Sequence, residues 1–193
     1  MAQTIKRYTE EEYLSLERNA EAKSEFYQGE ITAMEGATRN HNIISGNFFA
    51  YLHLKLKGKG CRPYSNDMRL HTPGTAFYTY PDIVVVCGKD EFLDNEFDTL
   101  LNPVFLVEVL SHSTADYDNG RKFMRYRAIP DLKEYWTISS YEHRIVKNLK
   151  NDSDNSWVLT ETTNLQDEMK ISSLDIIVSL NEIYEGTEIL KNL

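Results

Sequence analysis

The stretch FLVEVLS, residues 105–111, has the composition of a buried strand and carries one residue that such a strand excludes. Phe105, Leu106, Val107, Val109 and Leu110 form a run apolar on both faces, the pattern of a central strand covered on each side. Glu108 interrupts it. A carboxylate buried without a partner costs several kcal/mol or takes up a proton, so Glu108 implies either an ion-pair partner or something that binds it. The preceding apolar run, YTYPDIVVVC, has the same character and brings Asp82 to the mouth of its strand directly after Pro81. Proline lacks a ladder donor and sits at strand starts or edges, so Asp82 is expected where that strand emerges. If the two strands are neighbours, the two carboxylates converge.

Outward from this pair the chain shows both helical and strand periods. Thr9 and Glu12 fit a capping box that opens a helix running to about residues 16–18. SEFYQGEITAM predicts two short strands about a turn at Gln28 and Gly29. Ile43, Ile44, Phe48, Leu52 and Leu56 recur at helical spacing over 40–57, and Gly58 and Gly60 close that helix after a lysine-rich last turn. CRPYSNDMRLHT, YTYPDIVVVC and PVFLVEVLS follow as three strand-like runs. The period then changes to a helix over 116–128 stopped by Pro130. EYWTIS, RIVKNL and SWVLTETT return to strands, and LDIIVSLNEIY ends in a short helix. The order predicts one α/β (α+β) domain over 1–193 with a mixed sheet flanked by helices.

Composition narrows the classes. With 41% hydrophobic and 26% charged residues the chain reads as an ordinary globular protein. No apolar run approaches the ~20 residues of a membrane span, and MAQTIKRYTEEEY has no signal-peptide core, so the expected compartment is the cytoplasm. Cys61 and Cys87 lack paired spacing and read as core thiols rather than as a disulfide or a zinc site. A net charge of −9 argues against a protein that coats nucleic acid by bulk electrostatics. It leaves room for a nuclease, which needs acid at a metal site and base only where phosphates lie. Local basic groups occur in KLKGKGCR and in RKFMRYR, which holds Arg121, Lys122, Arg125 and Arg127. The lysines of KLKGKG are most simply a solvated helix end.

Two carboxylates, a backbone carbonyl and waters are what Mg²⁺ requires, and such an ion would supply the positive partner of Glu108. The ordered set Pro81-Asp82, Glu108-Val109-Leu110, Ser111-His112-Ser113-Thr114, Asp118 to Lys122 (D-x-x-x-K) and Glu134-Tyr135-Trp136 resembles the family described as putative restriction endonucleases, the Uma family, of the PD-(D/E)XK nuclease superfamily. The resemblance extends from TEEEYLSL to SLNEIY. It implies a restriction-endonuclease-like mixed central sheet flanked by helices, with phosphodiesters hydrolysed by an ion held by the Asp and the Glu. One position departs from the superfamily pattern, because Leu110 stands where the lysine follows the glutamate. The resemblance implies that Lys122 replaces it from the next helix.

On this reading Asp82, Glu108 and the Val109 carbonyl hold Mg²⁺, with Mn²⁺ able to substitute. Lys122 orients or helps deprotonate the attacking water, and Glu25, in KSEFYQGE, completes the metal site or holds a second ion. The competing readings are an ion pair of Glu108 with Lys122 or Arg121, an Asp118–Lys122 surface pair, Glu30 in place of Glu25, and Arg121 or Arg125 in place of Lys122. Asp67 and His41 are further candidates, His41 for a phosphate contact or a cap. Tyr126, Tyr135 and Trp136 read as packing. The leading function is a DNA endonuclease acting as a homodimer, since cutting both strands needs two sites. The alternatives are a catalytically weak or inactive nucleic-acid-binding protein on the same fold, or a hydrolase of RNA or small phosphodiesters.

Overall fold

Two β-sheets divide the runs that read as continuous strands. The computed structural model describes residues 6–112, 115 and 117–189. Helix α1 (Glu10–Glu17) opens with the expected capping box, Thr9 Oγ1 accepting from the Glu12 N–H at 3.1 Å and Glu12 Oε2 from the Thr9 N–H at 2.8 Å. Strands β1 (Ser24–Tyr27) and β2 (Glu30–Ala33) form a hairpin whose two turn residues, Gln28 and Gly29, take φ of 47° and 93°, the sign that a two-residue type I′ turn demands. Helix α2 (Arg39–Leu56) is the long helix of the sequence pattern. Strands β3 (Cys61–Ser65), β4 (Arg69–Thr72), β5 (Phe77–Thr79), β6 (Ile83–Cys87), β7 (Thr99–Leu100) and β8 (Phe105–Leu110) follow. A π-helical turn (Tyr117–Lys122) runs into α3 (Phe123–Tyr126), and β9 (Glu134–Ser139), β10 (Ile145–Lys150), β11 (Trp157–Thr162), β12 (Glu168–Ile171), β13 (Ile176–Ser179) and α4 (Leu180–Tyr184) complete the chain.

The larger sheet has the order β11-β10-β9-β8-β6-β3, with β8 and β9 parallel and the other pairs antiparallel. The π-helical turn and α3 lie in the crossover that a parallel pair requires. The smaller sheet has the order β2-β1-β5-β4-β7, and β12 pairs with β13 as a separate hairpin. Two of the three expected runs therefore split. CRPYS belongs to the larger sheet and RLHT to the smaller, while FYT belongs to the smaller and IVVVC to the larger. Pro81 and Asp82 stand between β5 and β6, where the chain leaves one sheet for the other.

Alternation along the central strands sorts the interior. Ile83, Val85, Phe105, Val107 and Val109 face Ile44, Phe48, Leu52 and Leu56 of α2, with Trp136 and Ile138 beside them. Val84, Val86 and Leu106 point the other way, into a cluster with Leu70, Phe77, Tyr126, Ile129, Leu132 and Tyr135. Glu108 shares the parity of Leu106. It therefore points away from the α2 core, toward the helical crossover. The packing roles expected for Tyr126, Tyr135 and Trp136 are found, all three being fully buried.

Three local expectations are corrected. The segment expected as one helix over 116–128 is a π-helical turn followed by a short α-helix, and Asp116, like Ser113 and Thr114 of the S-x-S-T motif, lies outside the described residues. Cys61 and Cys87 are joined in a disulfide rather than standing as core thiols. Antiparallel register sets Cys61 opposite Cys87 across β3 and β6, a pairing that a separation of 26 residues does not disclose. Strand β12 was not anticipated. Its alternation is confined to four residues, with Met169 and Ile171 inward.

Phe48 stacks on Trp136 at 5.7 Å and meets Phe105 edge-on at 6.2 Å, so it fastens α2 to the larger sheet. Phe48→Ala is expected to lower the unfolding free energy by about 3–5 kcal/mol, measured by urea titration. A loss under about 1 kcal/mol, the usual range of surface changes, would contradict this packing.

Candidate active site

Glu108, Lys122, Asp118 and Asp82 are among the most buried charged groups of the chain, each no more than 9% exposed. They line one cavity of about 760 Å³ together with Glu25, Val109, His41 and Tyr117. Each arrives by a separate structural device. Strand parity turns Glu108 inward. On β1, Phe26 packs against Tyr13 and Tyr78, so the adjacent Glu25 projects from the opposite face. The π-helical turn buries both Asp118 and Lys122, and the hydroxyl of Tyr135 anchors it by donating to the Asp118 carbonyl at 3.0 Å. Glu134, the first residue of E-Y-W, lies elsewhere. It accepts from Trp136 Nε1 at 2.7 Å and the Ser173 N–H at 2.8 Å, and pairs with Lys147 at 3.2 Å.

Lys122 Nζ sits at the centre. It lies 2.9 Å from Glu25 Oε1, 2.9 Å from Glu108 Oε1 and 3.6 Å from Asp118 Oδ1. Glu108 Oε1 also accepts from the Tyr126 hydroxyl at 2.6 Å. Glu25 accepts from the Thr79 hydroxyl at 2.5 Å and the Tyr117 hydroxyl at 3.1 Å. Burial disfavours the lysine's charge, yet Glu108, Glu25 and Asp118 together carry its pKa well above 10.5. It is an ammonium ion at neutral pH. Burial pushes the Glu108 carboxyl well above the ordinary range, and Asp118 and Asp82 add to that against the opposing pull of Lys122. Burial also raises Glu25, but Lys122, Thr79 and Tyr117 outweigh it and hold this carboxyl below its ordinary value.

Asp82 is held differently. Its Oδ2 accepts from the Val109 N–H at 2.7 Å, and its Oδ1 lies 3.1 Å from His41 Nε2. The last register pair between β6 and β8 is Ile83 with Val107, so at Val109 the Asp82 side chain takes the place of a neighbouring strand. His41 stands in the first turn of α2, which Thr38 caps by accepting from the His41 N–H at 3.3 Å.

Of the other candidates, Asp67 points outward and pairs with Lys23 at 3.0 Å, and Glu30 pairs with Arg7 at 3.4 Å on the surface. Arg121 is exposed. Arg125 lies against the Tyr27 ring at 3.5 Å, and neither arginine lines the cavity. Sequence reasoning missed Tyr117 and Thr79, whose hydroxyls hold Glu25. Their only signal was polarity beside candidate elements.

The donor set fits a hard cation. Asp82, Glu108 and Val109 line the same cavity. Among the described residues no group of three or more His, Cys, Asp and Glu side chains is placed to hold a metal ion by itself.

The fold is shared with a solved structure. A crystal structure described as a putative nuclease belonging to DUF820 from Anabaena variabilis ATCC 29413 superposes with a TM-score of 0.74 at 16% identity, covering 92% of this chain and 97% of that one. The chain belongs to the Uma2 family, described as putative restriction endonucleases, whose profile matches residues 10–181. Two uncharacterized proteins of Synechocystis sp. (strain ATCC 27184 / PCC 6803 / Kazusa) are 38% and 34% identical to it. The first match covers 90% of this chain and 97% of the relative, and the second 91% and 90%.

Lys122→Met removes the ammonium and leaves Glu25, Glu108 and Asp118 facing one another. In the wild type the folded pKa of Lys122 lies above its unfolded value, so its contribution is complete below about pH 10.4 and fades only as pH rises through the folded value. In the variant the folded carboxyls titrate above their unfolded values of roughly 4. Its deficit, about 3–5 kcal/mol with the carboxyls ionised, therefore shrinks as pH falls toward their unfolded values. Urea unfolding at pH 7 and pH 5 checks this. Equal deficits at both would refute the arrangement.

Proposed function

We propose that this protein is a Mg²⁺-dependent DNA endonuclease of PD-(D/E)XK type, with its lysine displaced to the helical crossover after the glutamate. The observation that carries the reading is the meeting of Asp82, Glu108 and Lys122 in one cavity, from positions 26 and 14 residues apart along the chain. Asp82, Glu108 and the Val109 carbonyl would hold the ion, with Mn²⁺ able to substitute. When bound, the ion supplies Lewis-acid polarisation of a phosphoryl oxygen and a water of lowered pKa.

The side chains do the rest. His41 and the Val109 N–H fix the Asp82 carboxylate from two sides. Glu25 and Asp118 hold the Lys122 ammonium beside Glu108. A lysine kept charged serves as a donor to the attacking water or to the phosphoryl oxygen, and as a positive charge near the developing negative one, rather than as the base. The water oxygen bonds to phosphorus and releases a proton to solvent, the bond from phosphorus to the 3′ oxygen breaks, and the 3′ oxygen takes up a proton from solvent, so that none is gained or lost overall. The products are a 5′-phosphate and a 3′-hydroxyl. Cleavage of both strands calls for a homodimer, and the cytoplasm is the proposed compartment. Among the described residues no helix is long and apolar enough to cross a membrane.

A second reading, a nucleic-acid-binding protein of weak or no activity, is favoured by the position of Lys122 between the carboxylates of Glu25 and Glu108. Hydrolysis of RNA or of small phosphodiesters would use the same groups. Purified protein is expected to nick or linearise supercoiled plasmid with Mg²⁺ or Mn²⁺. Asp82→Ala, Glu108→Ala and Lys122→Ala are each expected to lose at least about 100-fold in rate. Cleavage surviving in Lys122→Ala alone would remove the lysine from the mechanism. If plasmid, single-stranded DNA and RNA all remain intact with either metal, the endonuclease reading is lost.

A further inference from the structure

Beside the acidic cavity lies a second one of about 720 Å³, lined by Tyr27, Gln28, Gly74, Thr75, Gly120, Arg121, Met124 and Arg125. Its lining holds two arginines and no carboxylate, in a chain of net charge −9. Elsewhere among the described residues Arg7, Arg18, Arg39, Arg62, Arg69 and Arg144 each pair with an acidic side chain. Arg121, Arg125 and Arg127 have no such partner among the described residues, and of these Arg121 and Arg125 line this cavity. Arg125 is fixed in place by uncharged groups. Its guanidinium lies 3.5 Å from the centre of the Tyr27 ring and 4.7 Å from that of Phe77, and Nη1 donates to the Tyr117 hydroxyl at 2.6 Å. A guanidinium has five N–H donors, so most remain to be directed at a ligand. Arg121 is exposed on the same turn.

The two cavities are connected by a short relay. Arg125 donates to Tyr117, Tyr117 donates to Glu25 at 3.1 Å, and Glu25 pairs with Lys122 at 2.9 Å. Lys122 and Arg121 are neighbours in sequence, one turned into the acidic cavity and the other away from it. An unneutralised guanidinium pair, Arg125 fixed and Arg121 exposed, beside a phosphodiester-cutting site, with Gly74 and Gly120 leaving room for close approach, has the chemistry of a phosphate clamp. The geometry points to this cavity as the seat of a backbone phosphate flanking the scissile one on the DNA strand being cut. The inference rests on the endonuclease reading and adds to it where the strand is held.

The test is fluorescence anisotropy in EDTA, which prevents cleavage, with a 30-nucleotide single strand and a 30-base-pair duplex over a series of salt concentrations. Each phosphate contact contributes about 0.7 to the slope of log K against log salt for single strands and about 0.9 for duplex. Arg121→Ser is expected to lower the slope by about one such unit, and the double variant with Arg125→Gln by about two, with binding weakened roughly 10-fold or more at low salt. Arg62→Ser, on a surface arginine already paired with Asp90, is expected to bind as wild type does. Because Arg121 is exposed, its variant keeps the test decisive if Arg125→Gln fails to fold. Wild-type affinity and slope in Arg121→Ser, in a protein that does bind DNA, would overturn the clamp and leave the endonuclease reading intact. A wild type that binds neither DNA form would overturn the clamp, the endonuclease reading being decided by the cleavage assay with metal, and one that binds only an RNA 30-mer would overturn the DNA assignment.

Discussion

One ammonium group organises the centre of this molecule. Lys122 draws together a carboxylate from the hairpin strand β1, one from the central strand β8 and one from its own π-helical turn. Each of these would be costly to bury alone. The cluster is thus a junction of three segments as well as a site. Around it Tyr126, Tyr117 and Thr79 donate hydroxyl hydrogens to the same carboxylates, so the negative charge is met by hydrogen bonds as well as by the single cation. Such a network is stable only when nearly all its members are satisfied. That ties the smaller sheet to the larger through polar contacts where their apolar clusters end.

The same strands serve two purposes through their alternation. Val107 and Val109 complete the apolar face against α2, while Glu108 between them faces the crossover. Asp82 comes from the point where the chain changes sheets, and its side chain closes the backbone of Val109 where β6 has ended. The carboxylate that reads as a metal ligand is therefore also a structural cap. Architecture and the candidate site share these side chains.

Charge is also distributed unevenly. Acidic groups crowd the first cavity, whereas the arginines without an acidic partner among the described residues gather on the π-helical turn and α3. An acidic protein can meet a polyanion this way, with a small positive patch next to the acidic cavity rather than a positive surface overall.

Much of this was legible in the chain itself. The capping box at Thr9, the α2 stripe, the buried runs of β6 and β8, and the ordered motif from Pro81 to Trp136 are local patterns, set by side-chain period and backbone preference within a few residues. They sufficed for the fold class and for the family. They also raised the question of Glu108, because a carboxylate in an apolar run is visible without any structure. Only the tertiary structure decided the answers that depend on distant residues. The register of β3 on β6 made a disulfide of Cys61 and Cys87, the division into two sheets brought Glu25 to Lys122, and the π-helical turn, anchored by Tyr135, buried Asp118 with it. These depend on which strands pair and in what register, a matter of packing the whole chain at once, whereas sequence period reports only which way each residue faces along its own element.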